Sequence, residues 1–192
     1  MPSTLTADAL VSWETVKVYL GTANDPLDED DREYTEGLIN AVSARANMIT
    51  GRKLKSRTAT VTLDGNGRDI ILLPEFPVDS VAEVRIDTKR EFGDETIVAA
   101  GSYDVYEDGR LYVEPRVPFA RRSVRVTYTA GFDPVPDDLQ QAVIESVAYS
   151  WKRLRSRAIG TSSITADGVT TQYEIDIPIP AKRVFESYRR VE

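Results

Sequence analysis

Residues 134–157 read PVPDDLQQAVIESVAYSWKRLRSR and predict the helix around which the rest of the chain is organised. Leu139, Val143 and Val147 recur at helical spacing and give this segment one apolar face. Pro136 suits the first position of a helix, and the acids after it and the bases at the far end lie where the helix dipole favours them. Because an amphipathic helix cannot bury its apolar face alone, this helix needs partners.

Two segments near the start of the chain supply such partners. Residues 13–20 predict a short helix, with Ser12 as its cap and Gly21 at its end. Residues 28–50 predict a longer helix. The apolar stripe of that helix consists of Leu38, Val42, Ala46 and Ile49. Helices from both ends of the chain are therefore expected to pack together.

Between these helices the hydrophobic pattern changes to the alternation of strands. Residues 58–63 alternate threonine with apolar residues and predict a strand. Residues 64–67 predict a turn, and residues 69–73 predict a strand that returns along the preceding one. Further short strands are predicted at 80–87, 103–106, 110–113 and 124–128. The Asp-Gly pair at 108–109 predicts a hairpin with a type I′ turn. Five or six short strands make a compact antiparallel β unit.

Residues 158–192 form an arm after the third helix. The segment 160–163 is a flexible joint, and 173–177 alternate like a strand. Pro178 and Pro180 lead into a short helix with Val184, Phe185 and Tyr188 on its apolar face. Burying such side chains is worth roughly 1.5–3 kcal/mol each, so they are too apolar for a free tail. The arm either folds back on its own domain or docks on a partner, and we favour the partner.

The fold class predicted from these patterns is α+β. A small helical bundle core comprises residues 1–56 and 132–157, the inserted antiparallel β unit comprises 57–131, and the C-terminal docking arm comprises 158–192.

The composition excludes most catalytic chemistry. The 192 residues contain no histidine and no cysteine, which removes Ser-His-Asp and Cys-His mechanisms, typical zinc sites and disulfides. We therefore predict that the chain is not an enzyme and has no catalytic residue, cofactor or metal site. The chain starts without a secretory signal and has no apolar run long enough for a membrane span, so a soluble cytoplasmic product is expected.

The charge is uneven along the chain. The net charge is -7, yet residues 151–192 carry five acids and eight bases. An acidic body with a basic tail favours partners of opposite charge, including other copies of the chain, and argues against general DNA coating. The basic residues of the third helix are either a solvated helix end or a contact to DNA in a channel or to a partner. They are Lys152, Arg153, Arg155 and Arg157.

Two short motifs favour ordinary structural interpretations. The acidic stretch 25–31 lacks the glycine at position six of a calcium loop and suits the start of a helix. Gly65-Asn66-Gly67 lies between two strands, whereas a phosphate-binding fingerprint joins a strand to a helix.

The order of several short motifs resembles a known family. The motifs are TGRKL at 50–54, LPEFPVDSV at 73–81, YTAGF at 128–132, VPDDL at 135–139, IPAKRV at 179–184 and YRR at 188–190. Together they resemble the head–tail connector (adaptor or head-completion) proteins of long-tailed bacteriophages and prophages.

This resemblance implies a structural role in the neck of a virion assembled in the bacterial cytoplasm. Members would form a ring, about twelvefold, beneath the portal protein, and such a ring uses head-to-tail interfaces, so a lone subunit can be monomeric. The ring would extend the DNA channel, pass DNA without sequence recognition, and offer a docking surface to a tail-completion or stopper protein. Its C-terminal segment would reach the portal, which implies docking by Val184, Phe185, Tyr188, Arg189 and Arg190.

Two other classes stay open. A β-rich module that binds protein or sugar would need an exposed aromatic cluster, which Tyr103, Tyr106, Tyr112 and Phe119 could supply. A small hydrolase that uses only acids would need two facing carboxylates, one of them with a raised pKa.

Overall fold

The computed structural model of the protein describes residues 4–21, 29–155, 163–166, 169–172 and 177–189. The chain divides into two compact units. The helical unit comprises Met1–Arg52 and Pro134–Glu192, and the β unit comprises Lys53–Asp133. The predicted α+β class is confirmed. The bounds of the predicted three-part division stay a prediction, but the C-terminal helix lies in the same compact unit as the other helices.

The described helices of the helical unit are α1 (Trp13–Tyr19), α2 (Glu29–Thr50), α3 (Asp137–Arg155) and α4 (Ile179–Ser187). The Ser12 hydroxyl oxygen accepts a hydrogen bond from the Thr15 N–H at 3.2 Å, which satisfies one of the amides left free at the start of α1. All four helices were expected from the sequence, and each is confirmed with its bounds shifted by a residue or two. Among the described residues no helix is both long and apolar enough to cross a bilayer.

The core of the helical unit is assembled from both ends of the chain. Helix α4 packs against α2 and α3, and α1 packs against both of those helices as well. The buried apolar side chains include Trp13, Val16, Ile39, Ala46, Leu139, Val143, Val147 and Phe185. The expectation that helices from the two termini pack together is therefore confirmed.

A short hairpin precedes α4, with β7 (Ser163–Ala166) antiparallel to β8 (Val169–Gln172). The strand predicted at 173–177 lies outside the described residues except for Ile177, which is in a bend. Most of the predicted joint at 160–163 also lies outside them.

The β unit contains two three-stranded antiparallel sheets. The first has the order β1-β6-β3, with β1 at Arg57–Gly65, β6 at Ala120–Ala130 and β3 at Val78–Ile86. The second has the order β2-β5-β4, with β2 at Ile70–Leu72, β5 at Arg110–Val113 and β4 at Tyr103–Val105. Two short 3-10 helices, Asp94–Thr96 and Ala100–Ser102, lie between β3 and β4.

The inner faces of both sheets contribute to one core. Its buried members are Ile71, Leu73, Val78, Val84, Leu111, Val113, Val117, Val124, Val126, Tyr128 and Ala130. Tyr128 is fully buried, and its hydroxyl oxygen accepts a hydrogen bond from the Glu75 N–H at 3.2 Å. This bond provides the buried phenol with the polar partner that burial requires.

The expected return of residues 69–73 along the preceding strand is wrong. Strand β1 pairs with β6 from Arg57↔Ala130 to Gly65↔Ala120, and β2 pairs with β5 instead. Strand β6 is the longest strand of the unit, and Val124, Val126, Tyr128 and Ala130 along it are all buried, which suits the central place that it takes in its sheet. Threonine hydroxyls form cross-strand hydrogen bonds on the outer face, Thr60 with Thr127 at 3.0 Å among them.

The hairpin predicted between β4 and β5 is confirmed, but its turn is not type I′. A type I′ turn needs positive φ at both central residues, and here only Gly109, at +85°, has it. Tyr106 accepts the Gly109 N–H and donates to the Arg110 carbonyl, both at 2.9 Å, which is the pattern of a three-residue loop ending in a left-handed glycine. Asp108 accepts the Arg110 N–H at 3.1 Å and so favours this local geometry.

Candidate functional site

The terminal helix α4 carries most of the residues predicted to dock on a partner. Pro180 lies in its first turn, where the missing N–H costs no hydrogen bond. Phe185 is 0% exposed and Ala181 is buried beside it, so this face belongs to the core of the helical unit. The arm was expected either to fold back on its own domain or to dock on a partner, and the described helix folds back on its own unit.

A polar network fixes the end of this helix. The Arg52 guanidinium, itself only 7% exposed, donates from Nε at 3.1 Å and from Nη2 at 2.8 Å to the Tyr188 carbonyl. It thereby satisfies a carbonyl left free at the helix C-terminus and places a cation at the negative end of the dipole.

The side chain of the same tyrosine makes a second link. The Tyr188 hydroxyl donates to Asp138 Oδ1 at 2.6 Å, at the start of α3. Burial, and then this bond to a carboxylate, raise the pKa of Tyr188 to about 12. The hydroxyl therefore stays protonated through the neutral range and keeps α4 linked to α3.

The five predicted docking residues are not equally accessible. Phe185 is in the core, Val184 and Tyr188 are half-buried, Arg189 is exposed, and Arg190 lies outside the described residues. Their docking role stays a prediction, and the exposed face available for it is the one that carries Arg189. Arg52 and Asp138 hold this segment in place, whereas the sequence predicts only a helix end at Arg52 and a helix start at Asp138.

The predicted basic cluster at the end of α3 is partly neutralised. Arg155 Nη2 lies 2.5 Å from Asp31 Oδ2, and its guanidinium lies 4.8 Å from the centre of the Trp151 ring. Arg153 lies over Tyr149 at 6.0 Å, Lys152 is exposed, and Arg157 lies outside the described residues. The role of these four residues at a channel or interface also stays a prediction.

The aromatic residues considered for a binding module are not gathered at one place in the β unit. Tyr106 and Tyr112 form an edge-to-face pair with ring centres 5.2 Å apart. Phe119 is 88% exposed but lies beyond the other end of β5, in the connection to β6. The four residues therefore do not line one common pocket.

The acidic groups with shifted pKa values do not resemble a catalytic pair. A hydrogen bond from Arg85 lowers the pKa of Glu83, and backbone hydrogen bonds, that from the Phe92 N–H first, lower the pKa of Asp87. A general acid needs the opposite shift. Within the described residues no three acidic side chains gather as a metal site would require.

The two motifs weighed for ligand binding differ in how far the structure describes them. In the stretch 25–31, residues 25–28 lie outside the described part and the rest begin α2. The glycine turn is closed, because a Cβ at Gly65 would lie 2.1 Å from the Pro118 carbonyl oxygen. The Asn66 amide bonds to the Ile70 carbonyl within the turn.

Solved structures similar to this chain come from gene transfer agent (GTA) particles. A chain in the neck of an empty GTA particle computed with C6 symmetry is 22% identical, with a TM-score of 0.67 over 100% of this chain and 95% of that chain. A chain in the virion of a native GTA particle is 24% identical, with a TM-score of 0.61 over 100% and 95%. A chain in the neck of a native GTA particle computed with C12 symmetry is 22% identical, with a TM-score of 0.60 over 100% and 96%. These likenesses establish the shared fold.

The sequence comparisons give the family. No curated protein matches the sequence significantly. The model of a protein family described as head completion protein matches residues 9–191, nearly the whole chain. The chain therefore belongs to the head completion protein family and is a structural protein of the head–tail junction rather than an enzyme.

Proposed function

We propose that this protein is a head–tail connector subunit that forms a ring beneath the portal, extends the DNA channel and offers a docking surface to a tail-completion or stopper protein. The observation that carries this proposal is the match of the head completion family over residues 9–191. The similar chains in GTA necks computed with C6 and C12 symmetry support a ring of about twelve copies. We further propose that the protein acts in the virion neck after assembly in the host cytoplasm.

The proposed contact with the portal uses the exposed side of the C-terminal segment. Arg189 provides charge there, with Val184 and Tyr188 at its edge, and Arg190 follows Arg189 in the sequence. Phe185 acts from the core, by fixing the helix that presents these residues. The network of Arg52, Tyr188 and Asp138 supports this proposal, because a docking surface binds more tightly when it is already ordered.

The proposed relation to DNA is passage rather than binding. The net charge of -7 disfavours tight association with phosphates, so DNA can slide past a ring of such subunits. Lys152 and its basic neighbours would make only local contacts, since Arg155 is already paired with Asp31. Weak, sequence-independent contact suits a channel through which a genome must move.

The experiment is native mass spectrometry of the protein alone and with the portal protein of the same particle. Deleting the arm would also remove Phe185 from the core, so the sharper variant is Arg189→Glu with Arg190→Glu. The matched control is Arg183→Glu, an exposed arginine on α4 outside the predicted docking set. We expect a portal complex with about twelve copies, lost in the double variant and kept in the control.

Two results would contradict parts of the proposal. A protein that never binds portal, alone or on DNA-filled heads, would reject the connector function. Equal portal binding by the double variant and the control would keep the connector function and reject the C-terminal segment as its dock.

A further inference from the structure

One end of the β unit is a compact projection, which we call the basic tip and define as residues 64–69 and 114–122. Hydrogen bonds join its two segments: the Val117 N–H donates to the Arg68 carbonyl at 3.0 Å, and the Arg122 N–H donates to Asp64 Oδ1 at 2.7 Å. Gly65 allows them to approach, because any side chain there would meet the Pro118 carbonyl oxygen. The tip is therefore a fixed shape rather than a loose loop.

The backbone of the tip is also strained at one point. Arg122 has φ at +51°, in the left-handed region that non-glycine residues rarely occupy. Such strain persists only where surrounding structure imposes it, and it concentrates at functional surfaces. Arg121 and Arg122 are both exposed at this point, where β6 begins.

The surface of the tip is apolar at its centre and basic around it. Phe119 is 88% exposed, and its Cβ lies 3.5 Å from where a Cβ on Gly67 would lie. Four exposed arginines surround it, Arg68, Arg116, Arg121 and Arg122, and they outnumber the exposed acids of the tip, Asp64, Asp69 and Glu114. None of their guanidinium groups forms an ion pair with a residue that the structure describes. Aromatic residues and arginine are the types enriched where proteins bind one another.

The opposite end of the same sheet carries the complementary chemistry. Strand β2 pairs Ile70 with Tyr112 and Leu72 with Arg110, so the tip lies beyond one end of β5 and the β4–β5 turn lies beyond the other. We call this turn the acidic hairpin and define it as residues 104–108. Tyr106 at its centre is 48% exposed. Its exposed acids are Asp104, Glu107 and Asp108, of which Asp108 is already paired with Arg110 at 2.7 Å. The Arg110 guanidinium also lies 5.5 Å from the centre of the Tyr106 ring, so Asp104 and Glu107 are the acids open to a partner.

We propose that the basic tip of one copy docks on the acidic hairpin of a second copy. Phe119 packs against the exposed part of the Tyr106 ring, and the arginines of the tip face Asp104 and Glu107. Charge complementarity selects a second copy as the occupant, because the chain has a net charge of -7 and presents this acidic, aromatic surface itself.

The contact joins two different surfaces, so it is head-to-tail and propagates into a ring when the rotation closes. This inference rests on the proposed function and deepens it, because it names the surfaces through which neighbouring copies in the ring would contact each other. It does not depend on the portal, so the two can be tested separately.

A charge-swap experiment tests the contact. The tip variant is Arg116→Glu with Arg121→Glu, and the hairpin variant is Asp104→Arg with Glu107→Arg. Each variant alone opposes like charges, and we expect its self-association to be at least about tenfold weaker by sedimentation velocity. In an equimolar mixture every tip meets a hairpin of opposite charge, so association should return. Circular dichroism of each variant shows whether it is folded, and restored association in the mixture cannot come from unfolded chains.

A cross-linking experiment gives an independent answer, because the chain has no cysteine of its own. Copies carrying Phe119→Cys are mixed in a glutathione buffer with copies carrying Tyr106→Cys, or with copies carrying Ala41→Cys on the exposed face of α2 as the control. We expect the covalent heterodimer to form with the Tyr106 variant at least about tenfold faster than with the control.

Other outcomes overturn the inference in distinguishable ways. If the mixture does not recover association, or Phe119→Cys links equally to both partners, the tip does not dock on the hairpin. If rings form with portal while the charge variants assemble normally, the connector function stands and this self-contact fails. If the tip variant loses binding only to duplex DNA or to a tail protein, the tip serves that partner instead.

Discussion

The β unit is one continuous segment, Lys53–Asp133, whereas the helical unit is built from the two ends of the chain. All members of the β unit's core cluster lie within that segment, Tyr128 of the central strand among them. The core of the helical unit closes only when Phe185 from α4 packs with α2 and α3. The β unit can therefore form from local chain, but the helical unit depends on closing a much longer loop.

This difference also separates the roles proposed for the two units. The helical unit contains the C-terminal segment proposed to meet the portal, and its order depends on a few long-range links such as Arg52 to the Tyr188 carbonyl. The β unit carries complementary ends on one sheet, which suits repeated contact between identical copies.

The largest expected change in stability comes from removing the core contact that α4 makes with the rest of the helical unit. Phe185→Ala removes a fully buried side chain and should destabilise the helical unit by about 3–5 kcal/mol. Urea unfolding followed by Trp fluorescence measures this, since Trp13 and Trp151 are both in the helical unit. The control Val184→Ala changes the half-buried neighbour and should cost about 1 kcal/mol. Equal losses in both variants would mean that α4 does not complete the core.

The second effect is local to the β unit. Gly131 has φ at +112°, and a Cβ there would lie 2.6 Å from the Lys55 carbonyl oxygen. Gly131→Ala should therefore cost about 3 kcal/mol through strain and backbone overlap. Gly51 in the helical unit has φ at +73° but open space around it, so Gly51→Ala should cost only about 1 kcal/mol. Thermal unfolding of both variants checks the difference, and similar costs would contradict it.

The sequence predicted the elements because their periods are local. Leu139, Val143 and Val147 recur at helical spacing, which predicts the apolar face of α3 from the local sequence alone. All three side chains are buried in the structure. The alternation at 124–128 likewise places Val124, Val126 and Tyr128 inward. The order of short motifs led to the family, which the match over residues 9–191 confirms.

Strand partners and turn geometry could not be predicted in the same way. Alternation fixes which face of β1 is buried, but not that β6 rather than β2 lies beside it, because pairing depends on residues far along the chain. The Asp-Gly pair at 108–109 indicated the hairpin, but the Asp108 carboxylate bonds to the Arg110 N–H and selects another loop.

The candidate surfaces were predicted less well than the fold. An apolar helix near a C-terminus has the same pattern whether it packs on its own unit or on a partner, so the sequence could not show that Phe185 is buried. Arg52 gave no signal, because its bond to Tyr188 spans 136 positions. Phe119 was considered only as a member of an aromatic cluster, and its place among four arginines depends on two loops meeting.

A smaller effect follows from the titration of Tyr188. Its pKa rises from 10.0 to about 12, so its protonated form is favoured in the folded state. The stabilisation from its bond to Asp138 is fully present below pH 10 and is lost as the pH rises toward 12. Tyr188→Phe should cost about 1 kcal/mol at pH 7, and this difference should shrink between pH 10 and 12. Urea unfolding of both proteins across that range measures it; a difference independent of pH would contradict the link.

The smallest effect is confined to one loop of the β unit. Asp87 accepts hydrogen bonds from the N–H groups of Lys89 at 2.8 Å, Glu91 at 2.7 Å and Phe92 at 2.9 Å, and these bonds lower its pKa. The stabilisation is present above the ordinary carboxyl pKa of 3.8 and is lost as the pH falls through the lower folded value.

Asp87→Asn should therefore speed hydrogen exchange at the Phe92 amide by several-fold while the amides of β6 keep their wild-type rates. Asp79→Asn, at an exposed position in β3, is the matched control and should change neither. Faster exchange throughout β6 in Asp87→Asn would mean that the loop and the central strand open together. The β unit would then not differ from the helical unit in the way proposed. Losing one loop contact would open its central strand, just as losing the Phe185 side chain is expected to destabilise the whole helical unit.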